Sequence, residues 1–167
     1  MRERLTKGDI EKIEAELEHR KVVVRKQAAT DIAEAAALGD RSENFEYYAA
    51  KQFRNKNESR IRYLERVLKT AVVISDESAE DEVGLNNTVV VYDLEMQEEE
   101  TYRLVTSIRG DILNHQISIE SPLGKALIRH KVGDRVTVQV DGGDAYQVEI
   151  RKIIKENDES GDSIRSF

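Results

Sequence analysis

From the first long element onward, apolar residues recur at Ile10, Ile13, Leu17, Val24, Ala28, Ile32 and Ala35. Steps of three, four or seven place them in one stripe on a helix. No proline or glycine interrupts residues 9–38. The pattern therefore predicts a helix of roughly 30 residues, about 45 Å long at 1.5 Å per residue. Thr6 or Asp9 is the candidate N-cap. Gly39 ends the run, because glycine takes the left-handed backbone at a helix C-terminus without steric cost. Asp40-Arg41-Ser42-Glu43 then has capping-box spacing. A second stripe (Tyr47, Ala50, Phe53, Asn57, Ile61, Leu64 and Leu68) predicts a second helix over residues 42–70. So short a connection makes the two helices antiparallel. The seam is graded. Ile10, Ile13 and Leu17 meet Ile61, Leu64 and Leu68 at the base. The distal half relies on Ala28, Ala35, Ala36, Ala37 and Ala50, which let the axes approach and make that end slender.

Past Ala71 the period changes to two. Residues 75–82 form an acidic connector. Residues 88–92, 101–106, 116–120, 135–140 and 146–150 read as strands rich in Val, Ile, Thr and Tyr. Asp141-Gly142-Gly143-Asp144 is a hairpin turn signal, and Ser121-Pro122 opens a short helix. The predicted class is α+β. An antiparallel coiled-coil hairpin covers residues 1–75, and a small domain with a curved antiparallel sheet covers residues 76–154. A polar, disordered tail covers residues 155–167.

Composition supports two units. The charged fraction is 35% and the aromatic fraction 5%, which suits an elongated molecule better than one large core. Residues 1–71 carry 16 Lys/Arg against 13 Asp/Glu, whereas residues 72–167 carry 10 against 20. Such asymmetry points to different partners for the two parts, although solubility charge alone can produce it. The absence of cysteine excludes disulfides and thiolate metal sites, and is compatible with a reducing compartment. No stretch approaches the roughly 20 apolar residues of a membrane span. Met1-Arg2-Glu3-Arg4 lacks the apolar core of a signal peptide. The expectation is a cytoplasmic protein with no membrane partner.

His19, His115 and His130 lack ligand spacing, and no nucleotide-binding loop or catalytic triad is present. A self-contained enzyme with a small-molecule substrate is therefore unsupported. The hairpin tip carries the most chemistry. Asp40 and Glu43 are three apart across a helix start, so both can project near the apex. Paired carboxylates suit a hard cation such as Mg²⁺ and can orient or deprotonate a water. Two ligands leave a site that another macromolecule must complete. The same two residues can also serve only as helix caps.

The segment Leu38-Gly39-Asp40-Arg41-Ser42-Glu43-Asn44-Phe45-Glu46-Tyr47-Tyr48-Ala49-Ala50-Lys51 resembles the hairpin-tip signature of the Gre family of bacterial transcription elongation factors. Ser121-Pro122-Leu123-Gly124-Lys125-Ala126-Leu127-Ile128, followed by Lys131-Val132-Gly133-Asp134, resembles that family's C-terminal domain. The resemblance implies an FKBP-like fold for that domain and an accessory role without enzymatic activity of its own. It implies binding to bacterial RNA polymerase, here through Ser121, Pro122, Leu123 and Gly124. The coiled coil then enters the secondary channel, where backtracking extrudes the RNA 3′ end. Asp40 and Glu43 would share an Mg²⁺ with the polymerase active site, with no cofactor bound by the chain alone. The polymerase itself cuts the RNA. Asn44 and Tyr47 would position the tip. Arg41, Lys51, Arg54 and Lys56 would face the RNA, where phosphate attraction suffices, though each also reads as a solvated helix position.

Departures from the family pattern are Ala35-Ala36-Ala37, where a basic residue is frequent, and the bulky Phe45 and Tyr48. The proline often found in the first helix is also missing at Val24-Arg25-Lys26. They keep open an alternative: a paralogue that occupies the secondary channel and regulates or inhibits polymerase without stimulating cleavage. A peptidyl-prolyl isomerase is disfavoured, since residues 72–167 hold only Tyr92, Tyr102, Tyr146 and Phe167 as aromatics. The Gly39 reversal and the attached sheet speak against a purely structural coiled coil.

Overall fold

The computed structural model of the protein describes residues 2–39 and 44–166. Its elements run β1 (Arg4–Leu5), α1 (Lys7–His19), a π-helical turn (Arg20–Val24), α2 (Arg25–Ala36), α3 (Phe45–Thr70), β2 (Val72–Val73), β3 (Thr88–Asp93), β4 (Glu98–Val105), β5 (Gln116–Ser118), α4 (Pro122–Leu127), β6 (Arg135–Val138) and β7 (Tyr146–Ile154). They form two compact units, one helical from Ile10 to Ala71. The other joins Glu3–Asp9 to the chain from Val72 onward, so the division falls inside α1. Among the described residues no helix is long and apolar enough to cross a membrane.

In the helical unit, α1 and α2 form one continuous arm through the π-helical turn, as the lack of proline and glycine over residues 9–38 allows. In that turn the Arg25 N–H reaches the Arg20 carbonyl, one residue further than in an α-helix. Asn57 of α3 is buried beside it. Its Nδ2 donates to the Arg20 carbonyl (3.2 Å), and its Oδ1 accepts from Arg20 Nη1 (3.0 Å). The apolar seam is built from Ile13, Leu17, Ala28 and Ala35 on the first arm and Ile61, Leu64 and Val67 on α3. Val67 takes the buried position expected of Leu68. Phe53, also assigned to the stripe, is exposed. The alanines draw the distal axes together and leave no depth there for a phenyl ring.

Of the two long-helix starts, the first is as expected and the second is not. The first helix starts with a reciprocal capping box. Thr6 Oγ1 accepts from the Asp9 N–H (3.1 Å), and Asp9 Oδ2 accepts from the Thr6 N–H (3.0 Å). The second long helix begins at Phe45 rather than near residue 42, and its cap is Asn44. Asn44 Oδ1 accepts from the Tyr47 N–H (3.0 Å) while its Nδ2 donates to the Ala35 carbonyl (2.5 Å). One amide thus satisfies an unpaired group on each arm, which an Asp or Glu acceptor cannot do.

The second unit holds a five-stranded sheet in the order β5-β4-β3-β7-β6. Its pairs are antiparallel except β4–β5, which is parallel with Arg103 opposite Gln116. The sheet is therefore mixed rather than antiparallel. Short 3₁₀ turns at Ser107–Arg109 and Ile112–Asn114, ending on left-handed His115 (φ 56°), carry the chain back to the same edge in the same direction. Alternate residues Val89 and Val91, Val136 and Val138, Val148 and Ile150 point inward. With Val83, Leu85, Leu104, Ile119 and Leu127 of α4 they form the core. A separate two-residue parallel ladder pairs β1 with β2.

The last strand is longer than its alternation suggested, because β7 pairs with β3 as far as Ile154 opposite Thr88. Residues 155–166, expected to be disordered, fold back within this unit. Lys155 Nζ donates to Ser78 Oγ (2.5 Å) and to the Glu82 carbonyl (2.9 Å). Asp162 is buried between Arg103 (2.6 Å) and Arg109 (2.7 Å). Polar composition signals disorder only where the charges find no buried partners, and here they find two arginines.

Candidate functional site

The expected tip acids Asp40 and Glu43, together with Arg41, lie outside the described residues. Their flanks are described. Asn44 closes the hairpin by bonding the last turn of α2 to the first turn of α3. Tyr47, half-buried, has the Tyr48 ring edge-on at 5.7 Å between centroids. Lys51 Nζ stands 5.2 Å from the Tyr47 centroid, a cation–π arrangement that keeps the amine beside the tip. Arg54 and Lys56 are exposed on the next turns, and Arg54 Nη2 donates to Asn55 Oδ1 (3.3 Å). The sequence-predicted set Asn44, Tyr47, Lys51, Arg54 and Lys56 is thus gathered on the first three turns of one helix. Sequence reasoning did not foresee that Phe45 is 86% exposed and Tyr48 50% exposed. Their bulk was legible, but their direction was not.

The four residues singled out on the sheet unit divide by role. Ser121 Oγ caps α4 by accepting from the Gly124 N–H (3.1 Å) and donates to the Ser118 carbonyl (2.6 Å). Gly124 is buried where a Cβ would stand 2.1 Å from the Ser118 carbonyl oxygen. These two residues lock the helix against β5. Pro122 at the first helical position is exposed. Leu123 lines a cavity of about 290 Å³ with Val91, Met96, Tyr102, Tyr146 and Val148. Asp93, Glu95, Glu98, Glu100 and Asp144 make its wall acidic. Burial, with the charges of Asp93 and Glu100, pushes the Tyr146 hydroxyl above its ordinary value.

Among the described residues no three His, Cys, Asp or Glu side chains come together as a metal site. Asp40 and Glu43 offer the oxygen donors that Mg²⁺ takes, but a pair falls short of a full ligand set.

The family described as "Transcription elongation factor, N-terminal" matches residues 3–73, and "Transcription elongation factor, GreA/GreB, C-term" matches residues 77–155. The chain is similar to "Transcription elongation factor GreA" of Thermoanaerobacter pseudethanolicus, at 46% identity over 140 residues, covering 83% of this chain and 89% of that one. Identity with the protein of the same name from Geobacillus kaustophilus is 44% over 141 residues, covering 84% and 89%. Among solved structures it is similar to the transcription factor Gfh1, at 28% identity with 92% of this chain and 97% of that one covered, and a TM-score of 0.46. The corresponding figures for GreA factor homolog 1 of Thermus thermophilus are 28%, 93%, 100% and 0.43.

Proposed function

Because the chain belongs to the GreA/GreB family of transcription elongation factors, we propose that it binds RNA polymerase and stimulates the polymerase's own cleavage of backtracked RNA. In this reading the helical unit enters the secondary channel tip-first. Asp40 and Glu43 complete the ligand set of an Mg²⁺ held by the polymerase, and that ion supplies Lewis acidity toward water. The chain's own part is to present two carboxylates in register and to hold or accept a proton there. Lys51, Arg54 and Lys56 attract the phosphates of the extruded strand without reading its sequence. The face of α4 around Pro122 and Leu123 docks the sheet unit on the polymerase.

The observation that supports this reading is the double hydrogen bond of Asn44. It ties Ala35 at the end of α2 to Tyr47 at the start of α3, on either side of the residues that bear the acids. A cap serving a single helix has no need to reach the other arm.

The test uses a stalled, backtracked complex with 3′-labelled RNA and Mg²⁺. The native chain should release short 3′ fragments. The Asp40→Ala/Glu43→Ala variant should lose the stimulation by roughly 100-fold or more, in line with the loss of an acid–base pair, while still competing for polymerase. Equal losses of binding and cleavage would contradict the assignment of chemistry to the tip and docking to the sheet unit. Binding by the native chain without any cleavage would mark a channel-occupying regulator.

A further inference from the structure

One face of α3 remains unexplained by the tip acids or the seam. Phe45 opens the helix with 86% of its surface exposed, and Tyr48 follows one turn on, half exposed. At 100° per residue the same face continues through Gln52, Asn55 and Lys56, all exposed. It carries no Asp or Glu, in a chain with 33 of them and a net charge of -7. The aromatic end is braced, since Tyr48 packs edge-on to Tyr47 and Tyr47 in turn holds Lys51.

We infer that this face takes unpaired nucleobases of the extruded RNA, with Phe45 and Tyr48 as the stacking surface and Lys56 beside the phosphates. The inference rests on the function proposed above and adds a base-recognising element to it. A protein partner for an exposed phenyl ring calls for an apolar continuation along the helix. The continuation here is the small Ala49 and then two amides and an amine, with the exposed Phe53 set about 80° round the helix, a mixture that suits a strand with flat apolar bases and a negative backbone. Every base has a π-face, so such a platform works on any sequence. It favours purines, whose larger rings cover more of the aromatic surface.

The experiment measures affinity for backtracked against non-backtracked elongation complexes, so it does not depend on cleavage. Phe45→Ala should reduce the preference for the backtracked complex by roughly 5- to 100-fold, the range seen when one base loses its aromatic partner. Phe45→Trp should retain it. Phe45→Leu, apolar but without a π-face, should behave like Phe45→Ala. Abasic sites in the extruded nucleotides should lower affinity for the native chain and remove the difference between native and Phe45→Ala. Full retention by Phe45→Leu, or the same Phe45→Ala loss on abasic RNA, would instead assign the ring to an apolar surface of the polymerase and overturn the inference. A native chain that binds and cleaves while Phe45→Ala changes nothing would overturn the inference alone. A native chain that does not bind polymerase would remove the function proposed above and this inference with it.

Discussion

Arg109 offers the sharpest test of what holds the sheet unit together. Its side chain is fully buried at the end of the 3₁₀ turn Ser107–Arg109. Nε lies 2.5 Å from Asp9 Oδ1, Nη1 lies 2.7 Å from Asp162 Oδ2 and 2.8 Å from Asn86 Oδ1, and Nη2 lies 3.5 Å from Glu159 Oε1. Replacing it with Met keeps most of the aliphatic stem and deletes the charge. The three carboxylates do not lose equally. Asp162 keeps Arg103 at 2.6 Å and Gln116 at 2.9 Å. Asp9, with no exposed surface, keeps hydrogen bonds from the Thr6 N–H (3.0 Å) and Thr106 Oγ1 (2.7 Å), both to Oδ2. Its Oδ1 accepts no hydrogen bond and is held by the guanidinium charge alone.

Removing one partner of a buried ion pair costs about 3–5 kcal/mol, chiefly because the other charge is stranded. The surviving hydrogen bonds to Asp9 place Arg109→Met near the lower end, about 3 kcal/mol. With a urea slope of roughly 1–3 kcal/mol per molar for a unit of this size, the midpoint should fall by about 1–3 M. Two units make a single global transition unsafe, so the readout should be hydrogen exchange at β3 and β4 amides through the urea titration. If the stranded carboxylate is the cause, Asp9→Asn in the Arg109→Met background should recover part of the loss, whereas Asp9→Asn alone should destabilise. A cost below about 1 kcal/mol, or purely additive effects, would refute the reasoning.

Glu16 gives a pH prediction. Burial raises its carboxyl, but hydrogen bonds and charge from Arg60 and Arg20 outweigh this and hold it below its ordinary 4.5. A depressed folded value means its contribution is present above pH 4.5 and is lost as pH falls through the folded value. Helicity followed by circular dichroism from pH 6 to pH 2 should show that acid-side loss in the native chain and a smaller one in Glu16→Gln. A Cβ at Gly124 would meet the Ser118 carbonyl oxygen at 2.1 Å, where main chain must move. Gly124→Ala should therefore destabilise the sheet unit by about 1–3 kcal/mol, read by thermal unfolding.

The hairpin was legible because its information is periodic and local. A stripe at helical spacing and one glycine name two arms and a reversal, and Gly39 adopts the positive φ (116°) that such a reversal requires. The features that escaped depend on partners distant in sequence. The π turn rests on Asn57 meeting Arg20, and the parallel β4–β5 pair on a left-handed His115. The ordered tail rests on two arginines on and just after β4, Arg103 partly buried and Arg109 fully buried. At the candidate site, Asn44 and Tyr47 were identifiable as residues. That Asn44 rather than Asp40 or Ser42 caps α3 follows from the Ala35 carbonyl opposite it, which no local pattern reports.

The polar residues within the seam bear on how the tip is kept in register. An alanine seam brings axes together but carries little shape, so a slip of one turn costs few contacts. Asn57 and Arg60 remove that freedom. Each is buried, and each finds its match at one place on the first arm, Asn57 at Arg20 and Arg60 at Glu16 Oε2 (2.7 Å) and Oε1 (3.2 Å). A slipped hairpin would bury an unpaired amide and an unpaired guanidinium, at about 1–3 kcal/mol for the amide and more for the charge. The first arm spends more residues between Arg20 and Ala35 than α3 spends between Asn44 and Asn57, and the π turn takes up part of that excess. The Asn44 bond to Ala35 is the distal end of the same alignment. Substituting Asn57 with Leu should thus leave the helices formed and even better packed, yet loosen the pairing at Asn44 more than ten residues away.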